Sequence, residues 1–201
     1  MAKDAWYFIV PLLLLAAAAG YLGWLITAGI LIFLAGFVAF FFRDPERTVP
    51  SDKQAVVSPA DGKVIRIKDQ PDGSKLLSIF LSIFDVHVNR APIEGAIVRQ
   101  EYRPGKFFIA SDDRASVENE QLVITIRGEW ELSFALIAGI VARRIVPWKK
   151  AGDAVSKGDR IALIRFGSRV DILLPANCDL LAKQGDRVYA GRSIIGRWRE
   201  R

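Results

Sequence analysis

From Ala5 to Phe42 the chain contains no Asp, Glu, Lys, Arg or His. As one helix this run would extend roughly 57 Å, about twice the thickness of a bilayer's hydrocarbon core. It is therefore expected to fold as two segments, with the break near Gly20–Gly23 and with Tyr21 and Trp24 placed for an interfacial belt. The second segment, Tyr21 to Phe42, is long enough to span a bilayer. The first, about Ala5 to Ala19, is shorter and contains Pro11, so it can tilt, re-enter or lie shallowly. Lys3, the apolar stretch and Ala16–Ala19 also mimic the three regions of a secretory signal peptide. The second apolar run follows at once, so removal of the first would still leave an anchor.

Arg43, Arg47 and Lys53 crowd the exit of the second segment and Lys3 precedes the first. The positive-inside tendency then puts both ends, and the globular part, on the cytoplasmic face of a cell membrane. A single cysteine, Cys178, excludes an internal disulfide and suits a reducing compartment. The net charge of +6 falls after the apolar run, and a basic domain beside a bilayer is drawn to an anionic membrane surface. Nucleic acid is not expected as a partner, since no basic run or aromatic-interleaved patch accompanies that charge.

Residues 43–54, with Pro45 and Pro50, form a juxtamembrane linker that cannot continue a helix. Residues 55–201 read as one mainly β, compact, barrel-sandwich-like domain behind an N-terminal apolar helical hairpin (residues 1–42). Strands are expected at Ala55–Ser58, Lys63–Ile67, Lys75–Phe84, Gly95–Tyr102, Gln121–Arg127, Glu131–Ala138 and Arg160–Phe166, punctuated by Asp-Gly, Pro-Gly and Gly-Asp pairs. Ser111–Glu120 is polar and reads as a short helix or a loop. An internal repeat joins Ala151-Gly-Asp-Ala-Val-Ser-Lys-Gly158 to Gln184-Gly-Asp-Arg-Val-Tyr-Ala-Gly191, a Gly-Asp-x-Val-x-x-Gly pattern. Each copy supplies a tight turn, a core-facing Val and a second turn, similar to the half-motif of biotinyl and lipoyl carrier domains.

Four stretches could carry chemistry. In Ile164-Arg-Phe-Gly-Ser-Arg-Val170, a Gly-Ser pair between strands is ordinarily a turn. If it is strained, Ser168 Oγ can attack the Gly167 carbonyl and turn the amide into an ester. β-Elimination would release residues 1–167 and leave dehydroalanine, which loses ammonia to become a pyruvoyl group. Such a ketone can condense with an amine and act as an electron sink, the part pyridoxal phosphate plays elsewhere. In Ser58-Pro-Ala-Asp-Gly-Lys-Val64, Asp61 either caps a hairpin turn or orients a base. In Phe84-Asp-Val-His-Val-Asn-Arg-Ala-Pro92, His87 is the only histidine, so any imidazole acid–base step must use it. On a strand, Asp85, His87 and Asn89 share one face. The fourth stretch, Tyr102 to Gln121, is a solvated loop by composition, in which Phe107 and Phe108 beside Lys106 could dip into a bilayer and meet a phosphate. The histidine and cysteine count could not build a typical zinc site, and no metal is expected.

Together these stretches, with Phe42-Arg-Asp-Pro-Glu-Arg47, Tyr102-Arg-Pro-Gly-Lys-Phe107, Glu118-Asn-Glu120 and Phe166-Gly-Ser-Arg-Val-Asp171, resemble the short-form phosphatidylserine decarboxylase family. Archaetidylserine decarboxylases look similar, which leaves acyl and isoprenoid tails both open. The resemblance implies a proenzyme that cleaves itself between Gly167 and Ser168 into a β chain (1–167) and an α chain (168–201). These would stay together as a heterodimer, with a dimer of such pairs expected from the resemblance alone, and Ser168 would become the pyruvoyl cofactor. It implies that the amine of a serine phospholipid condenses with this carbonyl, CO₂ is lost, and a proton, from His87, precedes release of the ethanolamine lipid. Asp61 and His87 assist cleavage or catalysis in this reading, and Lys106, Arg90, Asn119 and Phe107 contact the headgroup. Longer family members carry two histidines where this chain has His87 and, near the second position, Arg90. Either His87 does both jobs, or self-cleavage relies on strain and Asp61. The alternative from another class is a membrane-anchored adaptor or carrier module without catalysis, although no exposed Met-Lys-Met-like tip lies between the repeats. A pyruvoyl enzyme acting on a soluble amino acid would have little use for two apolar segments.

Overall fold

The computed structural model describes residues 1–106, 108, 118–139, 145–164 and 168–199. It divides into two compact units, Met1–Glu46 and Arg47–Arg201.

In the first unit, a 3₁₀ turn (Lys3–Ala5) leads into α1 (Trp6–Tyr21), and α2 (Leu25–Phe41) follows the Leu22–Trp24 corner. Gly23 takes φ +77° there, a conformation that favours glycine. The helices return on each other: the Ala2 N–H donates to the Phe42 carbonyl at 2.8 Å, and the Phe8 and Phe42 rings stack with centroids 5.7 Å apart. Within this unit the small side chains Ala5, Ala16, Ala19, Ala28 and Ala35 are buried, while Tyr7, Leu14, Ile26 and Phe33 are exposed. That is the inverse of a water-soluble helix pair and matches a membrane pair, in which small residues let backbones approach and large apolar ones meet lipid. The lengths reverse the sequence expectation. Lys3–Tyr21 is a continuous 19-residue apolar helical stretch, long enough to cross a membrane, whereas α2 has 17 residues and falls short of that length. The 3₁₀ turn lengthens the first, and the corner at Leu22–Trp24 shortens the second.

The second unit is mainly β, as the sequence implies. Its strands are β1 (Ala55–Val57), β2 (Gly62–Asp69), β3 (Lys75–Leu81), β4 (Val88–Arg90), β5 (Gly95–Arg103), β6 (Gln121–Arg127) and β7 (Glu131–Ala138). They continue with β8 (Ile145–Pro147), β9 (Ala154–Val155), β10 (Arg160–Ile164), β11 (Ser168–Leu174), β12 (Cys178–Leu180), β13 (Arg187–Val188) and β14 (Ile194–Trp198). An eight-stranded antiparallel sheet runs β13-β2-β3-β11-β7-β6-β5-β9, accompanied by three-stranded sheets β4-β10-β8 and β1-β14-β12. Period-2 alternation sets the core face: Leu77, Ile79 and Leu81 on β3, Leu132, Phe134 and Leu136 on β7, and Val170, Ile172 and Leu174 on β11 all enter one cluster. β11 is central, with Ser168 opposite Leu81 on one side and Ala138 on the other.

The repeat explains the two edges of the large sheet. Val155 and Val188, one from each copy, are buried in the terminal strands β9 and β13. Gly152, Gly158, Gly185 and Gly191 all have positive φ, between +70° and +98°. The copies dock on two further related segments, Ser58-Pro-Ala-Asp-Gly-Lys-Val64 and Ala91-Pro-Ile-Glu-Gly-Ala-Ile97. Gly185 N–H bonds the Val64 carbonyl as Gly152 N–H bonds that of Ile97, and Gly191 N–H bonds the Ser58 carbonyl as Gly158 N–H bonds that of Ala91. The domain is thus an exchange between two related halves, each half completing the other's sheet edge.

A Cβ on Gly95 (φ +148°) would sit 2.5 Å from the Arg127 carbonyl oxygen, whereas one on Gly152 (φ +95°) would meet nothing within 4 Å. Both Gly→Ala changes incur backbone strain, but only Gly95→Ala adds a clash with rigid backbone. Gly152→Ala should cost on the order of 1 kcal/mol and Gly95→Ala at least about 1 kcal/mol more; chemical denaturation of the two variants tests the order.

Candidate active site

Two backbone hydrogen bonds and one from a side-chain amide gather residues that are far apart in sequence. The Pro59 carbonyl accepts the Arg90 N–H at 2.9 Å and the Asn89 side-chain amide at 3.4 Å, fastening the Asp61 turn to the strand that follows His87. The His87 carbonyl accepts the Ile164 N–H at 3.2 Å, fastening His87 to the end of β10. Ser168 lies four residues beyond Ile164, a separation that chain geometry limits to about 14 Å. The Gly-Ser position is therefore reached from the strand that holds His87.

Ser168 is fully buried at the first position of β11, on the same face as the core residues Val170 and Ile172. Its Oγ has no hydrogen-bond partner among the described residues. A buried hydroxyl without a partner is costly as structure, and it leaves both lone pairs and the proton available for chemistry. Gly167 lies outside the described residues.

Asp61 is buried. Its Oδ1 accepts the Ala190 N–H at 2.8 Å and its Oδ2 accepts from the Arg47 guanidinium at 2.7 Å. Burial raises its pKa above the usual carboxylate value; the Ala190 amide and Arg47 oppose this, and the negative charge of Asp85 adds to it. Asp61 is thus a buried carboxyl whose charged form is favoured by a backbone amide and by one arginine, against the effect of burial. Arg47 is a contact of Asp61 that the sequence reading used for the linker, for orientation and for the resemblance, but not as a site residue. Its guanidinium also lies 5.7 Å from the Tyr189 ring centroid, and its side chain is 10% exposed.

His87 is fully buried, with Nδ1 3.0 Å from the Asp85 carbonyl oxygen. The Asp85 carboxylate is held by the Ser82 N–H at 2.8 Å, the Ser82 hydroxyl at 2.7 Å, and the Arg187 guanidinium. Asp85 therefore braces the turn that presents His87. The expectation that Asp85, His87 and Asn89 line one strand face is not met over that length, since β4 begins only at Val88.

The other candidate residues take different positions. Asn119 is buried and uses its whole amide: it accepts from Phe108 N–H at 2.8 Å and donates to the carbonyls of Phe108 at 2.9 Å and Ala138 at 2.7 Å. Ala138 is the residue opposite Ser168, so Asn119 reaches the strand position beside the candidate nucleophile. Lys106 is exposed and pairs with Glu118 at 2.8 Å. Arg90 is buried and donates to the Gly158 carbonyl at 3.0 Å, at a turn of the repeat. Phe107 lies outside the described residues. On the opposite face of β11 from Ser168, the buried Arg169 makes two 2.7 Å contacts with Asp171. That pair was legible only as part of the Gly-Ser-Arg-Val-Asp string.

A family model described as phosphatidylserine decarboxylase matches residues 34–196. The chain belongs to the phosphatidylserine decarboxylase family. Similar curated relatives are each named phosphatidylserine decarboxylase proenzyme. That of Symbiobacterium thermophilum is 43% identical, covering 98% of this chain and 95% of the relative. That of Solibacter usitatus is 48% identical over 92% of both, and that of Geotalea uraniireducens 40% identical over 98% and 95%. For a member of this family the buried Ser168, and Asp61 and His87 on segments tied to one another by the bonds above, are the positions to question first.

Removing the Arg47 charge should raise the Asp61 pKa further. If the ionised carboxylate is the working form, Arg47→Met should shift the acidic limb of the rate–pH profile for chain cleavage to higher pH, and Arg47→Lys should shift it less. Cleavage followed by denaturing electrophoresis across pH 5–9 measures this; an unmoved limb would show that Asp61 does not act through its charge.

Proposed function

We propose that this chain is a phosphatidylserine decarboxylase proenzyme, converting a serine phospholipid into the ethanolamine phospholipid with loss of CO₂. The observation that carries the reading is the buried Ser168 hydroxyl directly after Gly167, without a hydrogen-bond partner among the described residues, in a chain of this family. Ser168 Oγ attacks the Gly167 carbonyl, and the amide nitrogen leaves to give an ester. A base then takes the Ser168 Cα proton, and the C–O bond breaks with release of residues 1–167 as a carboxylate. The remaining dehydroalanine takes up water and loses ammonia. Asp61, held by Arg47 and the Ala190 amide, and His87 are the candidate groups for these proton movements.

The pyruvoyl group so formed supplies an electrophilic carbonyl and an electron sink for decarboxylation. The residues present fit it. Ser168 sits at a strand start, buried from water, with its backbone fixed by two neighbouring strands. His87 is the only imidazole, and delivers the proton that replaces the lost carboxylate on the substrate carbon. Lys106, exposed beside Glu118, is the candidate for the headgroup phosphate. Asn119 serves the site by fixing the strand position opposite Ser168, and Arg90 by fixing the Gly158 turn. Phe107 is retained as a lipid contact on its sequence position alone. The apolar pair, with Lys3 and Arg43 at its ends, would hold the chain in the cell membrane with residues 55–201 on the cytoplasmic side.

Mass analysis under denaturing conditions should show a 34-residue fragment, residues 168–201, without a normal amino terminus and reactive toward hydroxylamine. An intact chain in active protein would overturn the reading. Ser168→Ala should give one uncut chain and CO₂ release reduced to background. His87→Ala that is cut but inactive would restrict His87 to the decarboxylation step; if it stays uncut, one imidazole serves both. Equal CO₂ release from free serine and from a serine phospholipid in micelles would remove the lipid assignment.

A further inference from the structure

The turn between β3 and β4 carries two large apolar side chains into solvent: Ile83 is 42% and Phe84 62% exposed. This turn is not loose. The Ser82 N–H and hydroxyl hold the Asp85 carboxylate, the Asp85 N–H returns to the Ser82 carbonyl at 2.9 Å, and Arg187 reaches Asp85 from β13. Four hydrogen bonds thus present Ile83 and Phe84 outward, where collapse onto the domain would have hidden them. The surroundings are basic. Lys63 lies opposite Arg187 on the exposed edge of the sheet. Arg192, also exposed, lies 5.9 Å from the ring of Tyr189, itself 37% exposed.

We propose that the Ser82–Val86 turn is a second membrane contact, in which Ile83 and Phe84 enter the headgroup–acyl boundary of an anionic bilayer while Lys63, Arg187 and Arg192 take its phosphates. An apolar tip beside a basic sheet edge is a pattern that binds such a surface, through buried apolar area plus attraction to anionic lipid. The net charge of +6 favours the same partner over a neutral surface. Chain connectivity agrees: only residues 43–46 separate Phe42 from Arg47, a tether of about 18 Å at most. Any bilayer holding the apolar helices is therefore within reach of Arg47, which touches both Asp61 and Tyr189. The contact gives the site its depth. His87 follows Phe84 by three residues, so a tip at the acyl boundary places the imidazole near the headgroup layer where a serine carboxylate lies. This inference rests on the substrate being a bilayer phospholipid, and its primary test does not use activity.

Cys178 is buried, and burial pushes its thiol up to about 12, so a cysteine placed elsewhere can be labelled selectively. Phe84→Cys in the full chain, carrying an environment-sensitive fluorophore, is reconstituted in vesicles containing phosphatidylglycerol and nitroxide-labelled lipid. Asp72→Cys, on the turn at the opposite end of β3 roughly 23 Å away, is the reference. The label at position 84 should be quenched at least about threefold more than that at 72, and less so when the anionic lipid is replaced by a zwitterionic one. Equal quenching at the two positions would overturn the proposal. In a second arm, Ile83→Ser with Phe84→Ser should raise KM for bilayer substrate about tenfold and leave kcat on a short-chain soluble serine phospholipid within about twofold. A matching loss on the soluble substrate would show that the pair serves the fold instead. If no decarboxylation occurs with any substrate, the functional reading fails while the quenching arm still decides the contact.

Discussion

The placement of β11 between β3 and β7 is the constraint on which the rest depends. A strand paired on both sides cannot slip without turning its whole core face toward solvent. Val170, Ile172 and Leu174 therefore fix the register, and the register fixes where residue 168 stands. A serine at a strand end in open solvent would be one more polar turn residue. At the buried end of a central strand its hydroxyl loses water, and no described neighbour replaces it.

The same economy governs the charged groups. Asp61 is withdrawn from water and would tend to be neutral, but a guanidinium and a backbone amide draw it back toward the charged form. An acid balanced between two opposing influences changes its proton affinity with small movements of either partner. Arg47 is the first residue of the β domain and follows the apolar helices by only a few residues, so one of the groups that favour the charged form of Asp61 sits where the chain leaves those helices.

Much of this was legible in the sequence because it rests on local rules. The uncharged run, the alternation in β6 and β7 and the Gly-Asp turns are short-range signals, and the bounds of β6 and β7 were read to the residue. Two-residue strands such as β9 and β13 have no periodicity to read; they exist because the related segments at residues 58–64 and 91–97 accept them. The role of Arg47 was hidden for the same reason. Its partner is 14 positions away, across a linker with no periodicity to read, and the pair exists only in the folded chain. A common site for Asp61, His87 and Ser168 was expected from resemblance; the bonds that tie their flanking segments, through the carbonyls of Pro59 and His87, are invisible to any pattern of side chains.

The exchange of related segments also bears on what a cut between residues 167 and 168 would leave behind. The four strands after the cut do not form a module of their own: β11 fills the middle of the large sheet, β13 closes its edge, and β14 sits between β1 and β12. The short piece would be woven through the long one, with no core to keep if it were withdrawn. Its shape would be a memory of the uncut chain, and the two pieces, once unfolded, would have lost the covalent connection that brought those strands to their places.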